Sequence, residues 1–89
     1  MIAYKGTKNM KCHNLKYEVG KTYIFKGDLE LCKGGFHACR NIVDVDRYYP
    51  FDDPDTVVLE VEVPSDAEII RSPEDSKFVT NKIKVLKEY

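Results

Sequence analysis

"NIVDVDRYYP", residues 41–50, is the stretch on which the fold class turns. Here the apolar residues change period. Ile42, Val45 and Tyr49 recur at spacings of three and four, the signature of one helical face, and predict a helix over 41–49. Asn41 suits the N-cap, and Asp44 three residues later completes a capping-box-like pair. Asp44 and Asp46 also suit the positive end of a helix dipole, and Pro50 stops the run.

The flanking segments read as strands and turns. "TVVLEVEV" (56–63) is the clearest strand, with Val57, Leu59, Val61 and Val63 facing one way and Glu60 and Glu62 the other. "NKIKVLKEY" (81–89) alternates likewise, Ile83 and Val85 against Lys82 and Lys84. "MIAYKG" reads as a first strand ended by Gly6, and "LKYEVGKTYIFKGD" (15–28) as two short strands or one bulged strand. "GFHAC" (35–39) is a short strand with Phe36 and Ala38 on one face and His37 and Cys39 on the other. "AEIIRS" (67–72) is a weak strand, and Ser72 before Pro73 suggests a single helical turn. The expected fold is α+β: one small domain over 1–89, a mainly antiparallel sheet of about five strands, and one main helix at about 41–49.

With 89 residues there is room for one domain, and the apolar and charged fractions, 43% and 33%, fit a soluble globular chain. No apolar run is long enough to span a bilayer. "MIAYKGTKNMKC" lacks the apolar core of a signal peptide, so a cytoplasmic setting with three reduced cysteines is expected. Net charge is −1, which argues against direct nucleic-acid binding, but the charge is segregated. Residues 1–40 hold eight Lys/Arg and three acids, residues 41–75 two and eleven, and residues 76–89 four and one. The segregation has a plain explanation in acidic and basic strands pairing across a sheet. The other is functional: Asp44, Asp46, Asp52, Asp53, Asp55, Glu60 and Glu62 could form an acidic surface that mimics nucleic acid.

"ELCKGGFHACRN" (30–41) holds most of the candidate chemistry. Cys12, Cys32, His37 and Cys39 could supply a Cys3His zinc site, but the spacing lacks the paired Cys-x2-Cys of most zinc fingers. Cys39 precedes a helix start and His37 could serve it as base, yet no third group is evident to orient that pair. The favoured reading is a turn, a core strand and a cap, with His37 hydrogen-bonded beside the core, Asp75 being its candidate partner. No phosphate-binding glycine loop, catalytic triad or paired-carboxylate signature stands out, so a binding protein is favoured over an enzyme, with no cofactor required.

"YKG", "YEVGKTY", "LCKGGFHAC", "DVDRYY", "VEV" and "DSK" occur in an order that resembles a family of small phage and prophage proteins grouped as a domain of unknown function. The resemblance covers nearly the whole chain. It implies that Cys12, Cys32, His37, Cys39, Tyr49, Asp75 and Lys77 occupy motif positions, and it implies a phage or prophage gene acting in the cytoplasm of an infected bacterium. A host protein is then the expected partner, including inhibition of antiphage defence. "GFHAC…YY" is also similar to a strand-then-helix element of ADP-ribosyltransferases, although the chain is too short for a complete NAD-binding cleft. That likeness implies the alternative, a nucleotide or ADP-ribose-type ligand binder or a degenerate transferase-like enzyme. The residues that would form a binding site are Cys32, His37, Cys39, Tyr49, Asp75 and Lys77. Oligomeric state is left open.

Overall fold

The computed structural model describes all 89 residues. In chain order the elements are β1 (Ile2–Lys8), β2 (Lys11–Cys12), β3 (Leu15–Lys16), β4 (Thr22–Ile24), β5 (Phe36–Cys39), α1 (Ile42–Val45), β6 (Thr56–Glu62), β7 (Ile69–Arg71), β8 (Lys77–Thr80) and β9 (Lys82–Glu88). All nine strands belong to one antiparallel sheet, ordered β4-β9-β6-β1-β5-β8-β7, with β2 and β3 extending β1 as a meander.

The alternation read from the sequence sets the register of the central strands. Leu59, Val61, Val63, Ile83, Val85 and Phe78 are fully buried on one face. On the other face Glu60 pairs with Lys87 and Glu62 with Lys84, so the segregated charges of β6 and β9 meet across the sheet. Tyr23 of β4 and Phe36 of β5 stand four steps apart in the strand order, yet their rings are 6.4 Å apart and edge-to-face. Phe25 and Tyr17 meet Phe36 in the same way. The sheet therefore curls until its β4 edge reaches over β5, and it encloses its own core.

This corrects the α+β expectation. The fold is nearly all antiparallel sheet, with nine strands instead of about five and a helix of four residues instead of one spanning 41–49. A sheet that covers its own apolar face needs no helix to cover it. After Val45 the chain tightens into turns: Arg47 N–H donates to Asp44 O and Tyr48 N–H to Val45 O, both three residues back. The Asp46 carboxylate then takes the Phe51 N–H at 2.7 Å and redirects the chain. Asn41 does cap α1, its side chain accepting from Val43 N–H at 3.1 Å. The reciprocal half of the capping box is absent, because Asn41 N–H donates to Ser76 Oγ and Asp44 accepts from Ser76 as well.

Smaller features also depart from the sequence reading, and the first strand runs past Gly6 to Lys8. No helical turn forms after Ser72; its hydroxyl accepts from Glu74 N–H, and the chain passes directly into β8. Val19 is exposed, because the alternation of 15–25 breaks at the turn around Gly20, where φ is +90°. The meander β1-β2-β3 is tied by two tight turns in which Asn9, Met10, His13 and Asn14 all have positive φ, the geometry of two-residue hairpin loops.

Candidate functional site

β1 pairs with β6 along its whole length, but with β5 only at Tyr4↔Cys39. Continued, that register would set Gly6 opposite His37. Instead the two strands part, and the Lys5 side chain reaches across to donate to His37 O at 2.8 Å. The gap between them opens into a cavity of about 240 Å³. β1 supplies Tyr4, Lys5 and Gly6, the meander Cys12 and His13, and β5 His37, Ala38 and Cys39. Cys32 comes from the preceding turn, Val45, Tyr48 and Tyr49 from α1 and the turns after it, and Lys77 from β8.

Local chemistry fixes each wall. Tyr49 lies flat against Gly6, where any Cβ would overlap its ring, so the glycine is what admits the aromatic. Its hydroxyl shares a 3.0 Å hydrogen bond with Cys12 Sγ. Burial and that bond raise the Tyr49 phenol above its ordinary range. Cys32 sits in the turn closed by Lys33 N–H and Gly34 N–H on Glu30 O, with φ +68°. Its backbone N–H donates to His37 Nε2 at 2.7 Å, so the imidazole is an acceptor there. Burial, then the positive charges of Lys5, Lys77 and His13, push His37 down to about 4 and keep it neutral at pH 7. Burial, then Asp75 and Asp44, push the Cys39 thiol up to about 11, which leaves no thiolate for nucleophilic chemistry at neutral pH.

Asp75 does not partner His37. Its carboxylate accepts from the Tyr48 hydroxyl at 2.7 Å, from Arg47 at 3.2 Å and from Lys77 N–H at 2.9 Å. Those bonds, Tyr48's first, hold it below the usual carboxylate range. Asp75 thus positions Tyr48 and Lys77 from behind the wall. The Lys77 ammonium lies 4.4 Å from the centre of the Tyr48 ring and donates to Cys32 Sγ at 3.5 Å.

The structure therefore brings Cys32, His37, Cys39, Tyr49 and Lys77 to one cavity, with Cys12 beside them, and places Asp75 behind it. No three His, Cys, Asp or Glu side chains converge as metal ligands, so Cys12, Cys32, His37 and Cys39 line the cavity without forming a Cys3His set. The acidic residues serve separate local roles. Asp44 binds Ser76, Asp46 binds Phe51 N–H, and Asp53 accepts from Asp55 N–H while lying 3.8 Å from Lys8. Glu60 and Glu62 face lysines, and Asp52 and the Asp55 side chain make no bond.

Sequence reasoning missed Lys5. It is 2% exposed and forms no ion pair. A signal was present: Ala3, Lys5 and Thr7 share one face of a strand whose small residues suit the middle of a sheet. Burial drives its amine below the ordinary lysine range, against the pull of Cys12 and Cys39.

Residues 1–89 match the DUF7666 family, described as a domain of unknown function. The chain belongs to that family. No curated protein and no solved structure matches it. Within this family member no helix is long and apolar enough to cross a membrane.

Proposed function

We propose that this domain binds a small anionic ligand of the mononucleotide class in the cavity between β1 and β5. One observation carries the reading. In a chain with 15 acidic residues, none of the 13 residues lining the cavity is acidic, and two lysines and two histidines are among them. Lys77 forms no ion pair with a carboxylate, so an incoming anion would meet its ammonium at the cavity wall, with the Lys5 N–H groups as further donors. Tyr4, Tyr48 and Tyr49 are among the lining residues and add aromatic surface beside them. The volume, about 240 Å³, lies just below the roughly 300–1,000 Å³ of drug-sized ligand cavities. It suits a mononucleotide, one base, one ribose and one phosphate, better than a dinucleotide such as NAD.

Calorimetric titration with a panel of mononucleotides and inorganic phosphate tests this. One-to-one binding is expected, weakened at least ~10-fold by Lys77→Ala, since a lost charge-assisted hydrogen bond is worth about 1.5–3 kcal/mol. The competing reading is a phage protein that occupies a host protein, and it draws on motif order alone. It would be favoured by capture of a defined host protein that Lys5→Met and Lys77→Ala leave intact, with no anion bound.

A further inference from the structure

The surroundings of Lys5 distinguish its two protonation states. An ammonium has three protons to donate, and the only oxygen acceptor at its nitrogen is His37 O, at 2.8 Å. The remaining neighbours are the thiols of Cys12 and Cys39 and the face of Tyr17, whose ring centre is 5.4 Å away. The charged form thus has more protons than oxygen acceptors, and loss of one proton relieves that mismatch. One N–H serves His37 O, and the lone pair is left for a thiol proton or for a ligand. Cys12, Cys39 and His37 all line the cavity, so the amine they surround sits at its wall.

We propose that Lys5 is a carbonyl-trapping amine: the cavity takes a small anion bearing an aldehyde or ketone, with the anionic end at Lys77 and the carbonyl carbon at Lys5 Nζ. This rests on the anion-binding reading above. The step is a condensation. The amine adds to the carbonyl carbon, its proton passes to the oxygen, and the carbinolamine loses water. A C=N bond replaces C=O, one water is released, and nothing is oxidised or reduced. Desolvation is a recognised way to activate a lysine for this chemistry, and here burial lowers its basicity. The groups facing the amine are Cys12 on β2, His37 and Cys39 on β5, and Tyr17 after β3; no carboxylate is among them, and burial outweighs the pull of the two thiols.

The test uses the intact chain with glyoxylate and pyridoxal 5′-phosphate as probes, at less than one equivalent, followed by borohydride reduction and peptide mapping. Reduced adduct should concentrate on Lys5 over the other ten lysines by at least ~10-fold, as expected for an amine less basic than exposed ones. Bound mononucleotide should suppress it. Lys5→Arg, checked for an unchanged circular dichroism spectrum, should lose that adduct and no other. Labelling spread over surface lysines, with Lys5 unmodified and mononucleotide binding intact, overturns this proposal and leaves the anion-binding reading standing. Absence of both adduct and anion binding overturns the two together.

Discussion

The Lys5 side chain donates to the main-chain oxygen of His37 at 2.8 Å, at the point where β1 and β5 cease to pair. A buried lysine thus stands where a strand-to-strand hydrogen bond would have been, and no carboxylate balances it. Lys5→Met should therefore raise stability at pH 7, by roughly 1–2 kcal/mol, because relieving the cost of stripping a lysine amine of water outweighs the loss of one hydrogen bond. The sign with pH follows from the lowered lysine basicity. Between the folded and unfolded pKa values the unfolded chain holds more protons, so the native protein gains stability as pH rises and the advantage of Met shrinks. Urea denaturation at several pH values measures this. A variant less stable than the natural chain at pH 7 would mean that the amine is well compensated.

His37 supplies a second pH signature. It is held neutral down to about 4, while an unfolded histidine titrates near 6.5. Its stabilising contact with Cys32 N–H is complete above the unfolded value and is lost as pH falls from about 6.5 toward 4. Because the ring is only partly buried, solvent screening reduces the loss to about 1–2 kcal/mol. His37→Ala should be less stable at pH 7 and show a shallower slope between pH 6.5 and 5. An unchanged slope in the variant would place the acid sensitivity elsewhere.

Gly6 and Tyr49 form one unit. A methyl group at Gly6 would overlap the Tyr49 ring, and the fixed β1 backbone cannot yield. Gly6→Ala should cost about 1–3 kcal/mol, the range for overpacking. Combined with Tyr49→Gly, the alanine at position 6 should add little further cost, because the Cβ, Cγ and Cδ2 atoms it would overlap are gone. Additive losses in a double-mutant cycle would contradict this contact.

Asp44 ties the 41–46 segment to the loop before β8, its carboxylate accepting from Ser76 N–H at 3.0 Å and Ser76 Oγ at 2.6 Å. Asp44→Ala should cost about 1.5–3 kcal/mol, as expected for hydrogen bonds to a charged acceptor. Asp44→Asn, which keeps one acceptor, should cost less. A loss under about 0.5 kcal/mol, ordinary for a surface substitution, would show the tie to be slack.

What could be read from the sequence follows from which residues have strictly local causes. The strand at 57–63 and the last strand were legible because period-two alternation directly reports a face buried and a face open, and Val61, Val63, Ile83 and Val85 are all buried. The 41–49 stripe placed Val45 and Tyr49 inward correctly but overextended the helix. Nothing local reveals that Ser76, 35 residues on, would take Asn41 N–H, or that Asp46 would turn the chain at Phe51. β8 was hidden because "EDSKFVT" carries cap-like residues whose bonds run to α1. Of the site, the cluster around His37 was visible from residue type. Lys5 was not, because its meaning depends on β1 lying in the middle of the sheet and parting from β5.

The central claim is that the β1–β5 cavity is an anion site. Titration of ¹⁵N-labelled protein with a mononucleotide, followed by amide shifts, tests it most directly. Saturable shifts are expected to cluster at Lys5, Cys12, Cys32, His37, Cys39, Tyr49 and Lys77, with saturation needing at least ~10-fold more ligand in Lys77→Ala. Shifts absent at millimolar ligand, or confined to the apolar groove of Phe51, Val57 and Tyr89 on the other side of α1, would contradict it.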